Sequence, residues 1–450
     1  RSARRRSLPQ SLTLMTTNTT REDVLRKHAE FLLPSVANYY AEPVVLAEGK
    51  GCRVVDHDGT EYLDFFGGIL TVSVGHCNER VTGAIKAQVD RLGHVSTLYP
   101  TLPIVQLAES MARITPGNLQ KSMFTASGTE ADETAVALAQ VYTGSIELVA
   151  LRHGYSGRSM LAQALTAHSP WRAVPTQIAG IKHGLAPYCY RCPLKQTYPS
   201  CNVACATDLE ELINTTTTGK IAGFLAEPIQ GVGGFIVPPK EYFEIAVDII
   251  RKAGGVFICD EVQTGFGRTG GKMFGIEHFG VEPDIMTMAK GVANGMPLGV
   301  TIATPEIADA FKALQISTFG GNPISSAAAN ATLAVIEEDN LADNAETQGA
   351  RLRAGLEEFQ GRYPKFLGDV RGMGLMQAIE FVADETLGDR TPNVEATGKL
   401  FEACKERGLL VGKGGLNGNV LRIAPALNVT SAEIDEALGI IGESLATFAS

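Results

Sequence analysis

A regular alternation of short apolar runs with segments of helical period constrains this chain more than any other feature. The runs Leu148 to Leu151, Ile221 to Ala226, Val256 to Cys259, Ile285 to Met288 and Val300 to Ala303 read as buried strands. Between two of them, Glu241 to Lys252 has apolar residues at helical spacing. Strands buried on both faces show as near-continuous hydrophobic runs, and parallel strands need a long, usually helical, crossover. The alternation therefore predicts an α/β fold with a parallel sheet covered on both faces. The early stretch from Val44 to Asp64 carries strand signals and an Asp58-Gly59 turn. After about Ser325 the chain opens an Ala-rich helix and then a smaller mixed α+β section.

Several function classes fall away. No run reaches the ~18 uninterrupted apolar residues of a membrane-spanning helix. A formal net charge of −10 repels a phosphate backbone, so nucleic acid is not an expected partner. The leader from Arg1 to Leu14 holds Arg1, Arg4, Arg5 and Arg6 and no acid, ahead of Met15. Its composition is transit-like, but it reads as translated upstream or vector sequence with Met15 as the native start. The expected location is cytoplasmic, or an organelle matrix if the leader is native. Of the eight cysteines, four crowd into Cys189, Cys192, Cys201 and Cys205. A CxxC followed by a CxxxC is open to three readings, namely a structural zinc site, local disulfides or plain thiols.

Ligands of parallel α/β sheets sit outside the carboxyl ends of the strands. The run ending at Cys259 delivers Asp260 and Glu261 to that edge. Such a carboxylate serves either a magnesium ion in a nucleotide hydrolase or a cationic group of a cofactor. The first use needs a GxxxxGK[ST] loop; the nearest candidate, Gly265 to Met273, fails the spacing. The run ending at Ala289 delivers a lone Lys290 thirty residues beyond Asp260, a separation that fits one helical crossover. Burial disfavours the charged form of a lysine and suits it to Schiff-base chemistry. A third element, Ser127-Gly128-Thr129-Glu130 before a helix-like segment, is both a capping box and an anion site.

A Schiff-base lysine, a carboxylate for a ring nitrogen and a phosphate cradle are together what pyridoxal 5′-phosphate requires. The sequence resembles the class III aminotransferases of PLP fold type I. The matching stretches are Ser127-Gly-Thr-Glu-Ala, Glu227-Pro-Ile-Gln-Gly-Val-Gly-Gly, Asp260-Glu-Val-Gln-Thr-Gly-Phe-Gly-Arg-Thr-Gly, Ala289-Lys290-Gly, Thr318-Phe-Gly-Gly-Asn-Pro and Leu421-Arg422-Ile-Ala-Pro. The resemblance runs from about Ala41 to the C-terminus. It implies a large domain (76–325) with a mainly parallel seven-stranded sheet. A small α+β domain is expected from residues 21–75 and 326–450, after a leader at 1–20.

The resemblance also implies roles. Lys290 would hold the cofactor covalently, Asp260 would face the pyridine nitrogen and Gln263 the ring 3-oxygen. Ser127, Gly128 and Thr129 would hold the phosphate, and Thr318 would reach the phosphate of a neighbouring subunit. A homodimer with shared active sites, or a pair of such dimers, follows. Arg422 would clamp a substrate carboxylate, and Glu227 would pair with Arg422 when an ω-amino acid brings no α-carboxylate. Relatives carry an aromatic residue before the His-Gly that follows the strand, whereas here that position is Arg152. Ring stacking then falls to Arg152, His153 or Tyr155. Ile69 and Leu70 would floor the substrate pocket in the manner of the alanine–glyoxylate aminotransferase 2 branch. The implied reaction moves an amino group from alanine or an ω-amino acid to pyruvate, glyoxylate or 2-oxoglutarate. Phospho-lyases, decarboxylases and aminomutases of the same fold are the enzymatic alternatives, and an inert dimeric binding protein the other. His57, His76 and His94 lack the spacing of a metal site and read as structural; no metal is expected at the catalytic centre.

Overall fold

The computed structural model describes residues 19–36, 38–175 and 178–447; the arginine-rich leader lies outside the described residues. Among them the largest sheet has seven strands, in the order Lys121–Thr125, Gly299–Ala303, Ile285–Met288, Val256–Asp260, Gly223–Ala226, Leu148–Leu151, Ile181–Gly184. The last five are mutually parallel. The sheet is the mainly parallel seven-stranded one expected, and its exception is Gly299–Ala303, which runs antiparallel to both neighbours. Every residue of that strand is buried, and a largely apolar run reports burial on two faces, not direction. The reversal costs the site nothing. Two antiparallel pairings in succession leave Lys121–Thr125 running the same way as the five parallel strands, so Ser127 emerges at their carboxyl edge.

The ladder register brings the other groups to that edge. Ala150 lies opposite Leu225, Ala226 opposite Cys259, and Asp260 opposite Thr287. Glu227, Asp260 and Lys290 thus leave adjacent strands within a few residues of the same level. Helices cover the sheet for the reasons their sequences show. Tyr242–Lys252 buries Tyr242, Phe243, Ala246, Val247 and Ile250, a single stripe at helical spacing. Gly128–Thr143 buries Ala131, Ala135, Val136 and Ala139, a small-residue face that lets it lie close. The Thr301 hydroxyl donates to its Ala131 carbonyl at 2.8 Å.

Two smaller sheets flank this core. One contains Leu46–Lys50, Arg53–Asp56, Glu61–Asp64 and Leu409–Leu410, the last parallel to Glu61–Asp64, and so joins segments from the two ends of the chain. The other is built on Leu367–Met373, Met376–Asp384, Val420–Ile423 and Gly412–Gly414, with Asp389–Pro392 also on Met376–Asp384. This second sheet grips the glycine-rich loop beyond Gly223–Ala226. Arg371 Nε donates to the Gly234 carbonyl at 2.8 Å and Arg422 Nη1 to that of Gly231 at 3.3 Å. No described helix is long and apolar enough to cross a membrane.

Candidate active site

A cavity of about 580 Å³ opens at the carboxyl edge of the large sheet, with Lys290, Asp260, Glu227, Gln263, Tyr155 and Ser127-Gly128-Thr129 among its lining residues. Lys290 begins the turn Lys290–Ala293 directly after its strand, with φ of 47°. A left-handed lysine is uncommon and is retained only where its surroundings enforce it. Burial lowers the basicity of its amine, and the charges of Asp260, Glu227 and Asp132 pull partly the other way. Burial likewise pushes the Asp260 carboxyl up to about 6, opposed by the Val262 N–H, which donates at 2.9 Å, and by Lys290. Glu227 is pushed up to about 8, first by burial and then by Asp260. Its oxygens accept from the Tyr155 N–H at 3.1 Å and the Gly231 N–H at 2.8 Å.

At the other side of the cavity Ser127 caps Gly128–Thr143. Its hydroxyl donates to Glu130 Oε2 at 3.0 Å and accepts from the Glu130 N–H at 3.4 Å. Thr129 is equally committed. Its hydroxyl donates to the Ser156 carbonyl at 3.2 Å and accepts from the Arg158 N–H at 3.1 Å. An anion at this helix start is therefore met by backbone N–H groups, which have no partner within the helix. Gln263 Oε1, in the same lining, is buried without a hydrogen-bond partner and so keeps capacity for a ligand. Gly231 gives it room, since a Cβ there would lie 2.3 Å from Gln263 Nε2. Gly231→Ala is expected to displace the Gln263 amide and weaken cofactor binding about tenfold, read by equilibrium titration, with little change in melting temperature.

Some sequence-predicted residues stand apart from the cavity. Arg422, 5% exposed, gives its guanidinium to backbone carbonyls, with Nε and Nη2 on Lys413 at 3.1 and 2.8 Å. It makes no ion pair with Glu227. The Gly231 residue links them, its N–H on Glu227 and its carbonyl on Arg422. Of the three stacking candidates only Tyr155 lines the cavity. His153 stands edge-on to Tyr188 at 5.7 Å, and the Arg152 carbonyl accepts from Gln230. Ile69 and Leu70 lie in a left-handed turn, φ 66° and 58°, outside the lining. Leu70 packs with Ile229, Phe235 and Met376, while Ile69 is exposed. Thr318 is exposed and also outside the lining.

The four clustered cysteines surround one small cavity as free thiols. The structure forms neither of the cross-links the spacing offered, and among the described residues no three metal-binding side chains make a group that could hold an ion. The segment is tied down otherwise. Tyr190 donates to Glu385 at 2.6 Å, and Tyr188 and Arg191 both bind the buried Glu380. His76 bonds Asp64 at 2.8 Å, and Asp64 in turn accepts from the N–H groups of Phe66 and Gly67. His57 lies 3.9 Å from Asp58, and the His94 ring centroid 5.5 Å from that of Phe319.

Two charged residues of the cavity lining escaped the sequence reading. Asp132 sits on the alanine face of Gly128–Thr143 and accepts from the Thr287 hydroxyl at 2.7 Å; burial, then Asp260, holds its carboxyl well above the usual range. An acid in an alanine stripe was the available signal. Arg158 is the other, and a loop arginine gives no such signal.

A lysine of lowered basicity, a neighbouring carboxylate, an unpartnered buried amide oxygen and a helix start at the carboxyl edge of this sheet fit pyridoxal 5′-phosphate, and define a PLP-dependent enzyme of fold type I. Residues 35–445 match the family described as Aminotransferase class-III. The chain is 42% identical over 413 residues to alanine–glyoxylate aminotransferase 2 homolog 2, mitochondrial, of Arabidopsis thaliana, covering 92% of this chain and 85% of that one. It is 35% identical over 434 residues to the leucine/methionine racemase of Thermococcus litoralis, covering 95% and 96%. Among solved structures, the (S)-enantioselective omega-transaminase from Thermomicrobium roseum superposes with TM-score 0.88 at 33% identity, covering 97% of this chain and 100% of that one. The chain belongs to the class III aminotransferases and is a PLP-dependent transaminase.

Proposed function

We propose that this enzyme transfers the amino group of alanine to glyoxylate, with ω-amino acids as further donors. The observation that carries the reading is the placement of Lys290 and Asp260 at adjacent strand ends of one cavity. The substrate choice draws on the likeness to the Arabidopsis alanine–glyoxylate enzyme and to the Thermomicrobium omega-transaminase. Turnover of alanine with glyoxylate should exceed that of 4-aminobutyrate with 2-oxoglutarate. Turnover of 4-aminobutyrate alone would overturn the choice of donor, and racemisation of leucine without an acceptor would favour the racemase reading instead.

In this reading Lys290 would hold the cofactor covalently, and its Nζ would carry the proton removed from the substrate carbon. The chemistry supplied by the bound cofactor is an electron sink for the substrate carbanion. Asp260 keeps a proton on the ring nitrogen, a preorganised charge that acts where charge develops. Gln263 would serve the ring 3-oxygen, Tyr155 the ring face, and the N–H groups of Gly128 and Thr129 behind the Ser127 cap would receive the phosphate. Arg422 exchanges its carbonyl partners for the substrate carboxylate, which it grips bidentately. Ile69 serves as the exposed floor residue, and Leu70 supports it from the core.

Glu227 adds a pH dependence. Burial and the charge of Asp260 push its carboxyl up to about 8, so it gains charge as the pH rises through that range. Above that pH its charge draws Arg422 away from the substrate. KM for carboxylate substrates should therefore rise as pH passes 8, and Glu227→Gln should flatten that limb without altering kcat below pH 7. A profile identical in both proteins would remove Glu227 from the role.

The active unit is read as a homodimer, or a pair of dimers, in which Thr318 serves the partner's phosphate. Supporting this, Leu314, Ile316 and Phe319 beside it are 99%, 62% and 64% exposed in the single chain. The mitochondrial designation of the Arabidopsis relative supports an organelle matrix over the cytoplasm.

A further inference from the structure

Arg422 and the carboxylate proposed to draw it away from substrate do not touch. A single glycine stands between them. The Gly231 N–H donates to Glu227 Oε2 at 2.8 Å, and the Gly231 carbonyl accepts from Arg422 Nη1 at 3.3 Å. The position of Gly231 therefore decides how far apart two buried, oppositely charged groups are held. Opposite charges attract far more strongly in a site of low dielectric than in water, so a spacer that moved aside would let them close.

Gly231 belongs to a tight turn. Its carbonyl also accepts from the N–H groups of Gly234 and Phe235, at 3.1 and 3.4 Å. The turn is gripped from outside by backbone and by a side chain. The Gly415 N–H donates to the Val232 carbonyl at 3.0 Å. The side chain is Arg371, on the strand Leu367–Met373, whose Nε donates to the Gly234 carbonyl at 2.8 Å. Gly234 permits that approach, with φ of +103° and a vacant Cβ position only 3.1 Å from Arg371 Nη2. Arg371 is itself buried and braced. Its Nη1 donates to Asp369 Oδ2 and to Glu380 Oε2, each at 2.7 Å, and its guanidinium lies 4.9 Å from the centre of the Tyr188 ring. Glu380 is held in turn by Tyr188 and Arg191. A rigid guanidinium fork suits this junction, because the two carboxylates set its orientation and leave Nε aimed at the carbonyl. Arg371 stands outside the cavity lining, so its influence on the site runs through the turn.

We infer that Arg371 is a positioning residue of the substrate site: through the Gly234 carbonyl it fixes the turn whose Gly231 holds Glu227 and Arg422 apart, and so keeps Arg422 free for the substrate carboxylate. The inference rests on the roles proposed above for Arg422 and Glu227. The charged groups around Glu227 are Asp260, Lys290, Asp132 and Arg422; the titratable groups around Arg371 are Asp369, Glu380, Tyr188 and His153. Of the first set, Arg422 is the one that Gly231 separates from Glu227.

The test is the pH dependence of KM for alanine in the holoenzyme, for the wild type, Arg371→Lys, Glu227→Gln and the double variant, with melting temperatures as a control on folding. Lysine keeps the charge that Asp369 and Glu380 need and loses the Nε donor. Arg371→Lys is expected to raise KM at pH 7 about tenfold, the scale of one charge-assisted contact, with little change in kcat. A cationic neighbour favours the charged carboxyl, so the rise of KM with pH should begin about one pH unit lower than in the wild type. In the double variant residue 227 has no charge with which to capture Arg422, and KM should return to the wild-type value. Asp369→Asn loosens Arg371 from a partly exposed position; it should shift KM the same way by less, and it decides the matter if Arg371→Lys does not fold. Unchanged KM profiles in both Arg371→Lys and Asp369→Asn overturn the assignment, and so does a raised KM that Glu227→Gln fails to reverse, the mark of general damage to the fold. A Glu227→Gln single variant that kept the wild-type rise of KM would instead refute the Glu227 and Arg422 reading itself.

Discussion

Replacing Lys290 by alanine is expected to lower kcat by about four orders of magnitude, the upper range for losing a positioned proton-transfer group, with nucleophilic attachment lost as well. No neighbour can take over. The other cation lining the cavity is Arg158, and a guanidinium stays protonated and cannot act as a base. Borohydride reduction followed by peptide mass mapping supplies a second readout. The wild type should carry the cofactor mass on the peptide containing Lys290, and Lys290→Ala should carry none. Retained turnover, or a label on another lysine, would refute the assignment.

Asp260→Asn should lower kcat/KM by about 10²- to 10³-fold, the range measured when one preorganised charge-stabilising group is removed. The substitution preserves shape at a site only 4% exposed, so melting should change little. The pH profile separates electrostatics from packing. With its carboxyl pushed up to about 6 by burial, Asp260 gains a proton as the pH falls through that value and loses the charge that holds the ring proton. Wild-type activity should therefore fall on the acid side near pH 6, and Asp260→Asn should lack that limb. The charge of Asp260 is also the strongest influence raising the basicity of Lys290, so the variant's lysine should titrate lower than the wild type's.

The legible part of this site was what strand ends announce. Asp260 and Lys290 each follow an apolar run, and burial of a charge at a sheet edge is costly enough to mark the sequence. The helix start at Ser127 was legible from its capping pattern, and Glu227 through the family resemblance. Direction was not legible. Gly299–Ala303 reads like its parallel neighbours because side-chain burial carries no sign of chain sense, and only the ladder partners reveal that it runs the other way. Rotation about single bonds was equally hidden. Arg422 lies in the strand Val420–Ile423 but spends its guanidinium on the carbonyls of Lys413 and Gly231. The cysteine spacing offered cross-links, whereas the four are free thiols among the described residues and the segment is tied down by contacts of Tyr188, Tyr190 and Arg191. Arg158 was invisible because its place depends on a loop folding back onto Thr129, a contact between residues 29 apart.

The central claim is that this chain moves an amino group through its cofactor and Lys290. The most direct measurement is one half-reaction: holoenzyme mixed with alanine and no acceptor, quenched, and assayed for pyruvate and for the form of the cofactor. One equivalent of pyruvate per active site, with the cofactor recovered as its amine and returned to the aldehyde on adding glyoxylate, is the predicted result. Unchanged cofactor accompanied by racemised alanine, or by carbon dioxide release, would contradict the account.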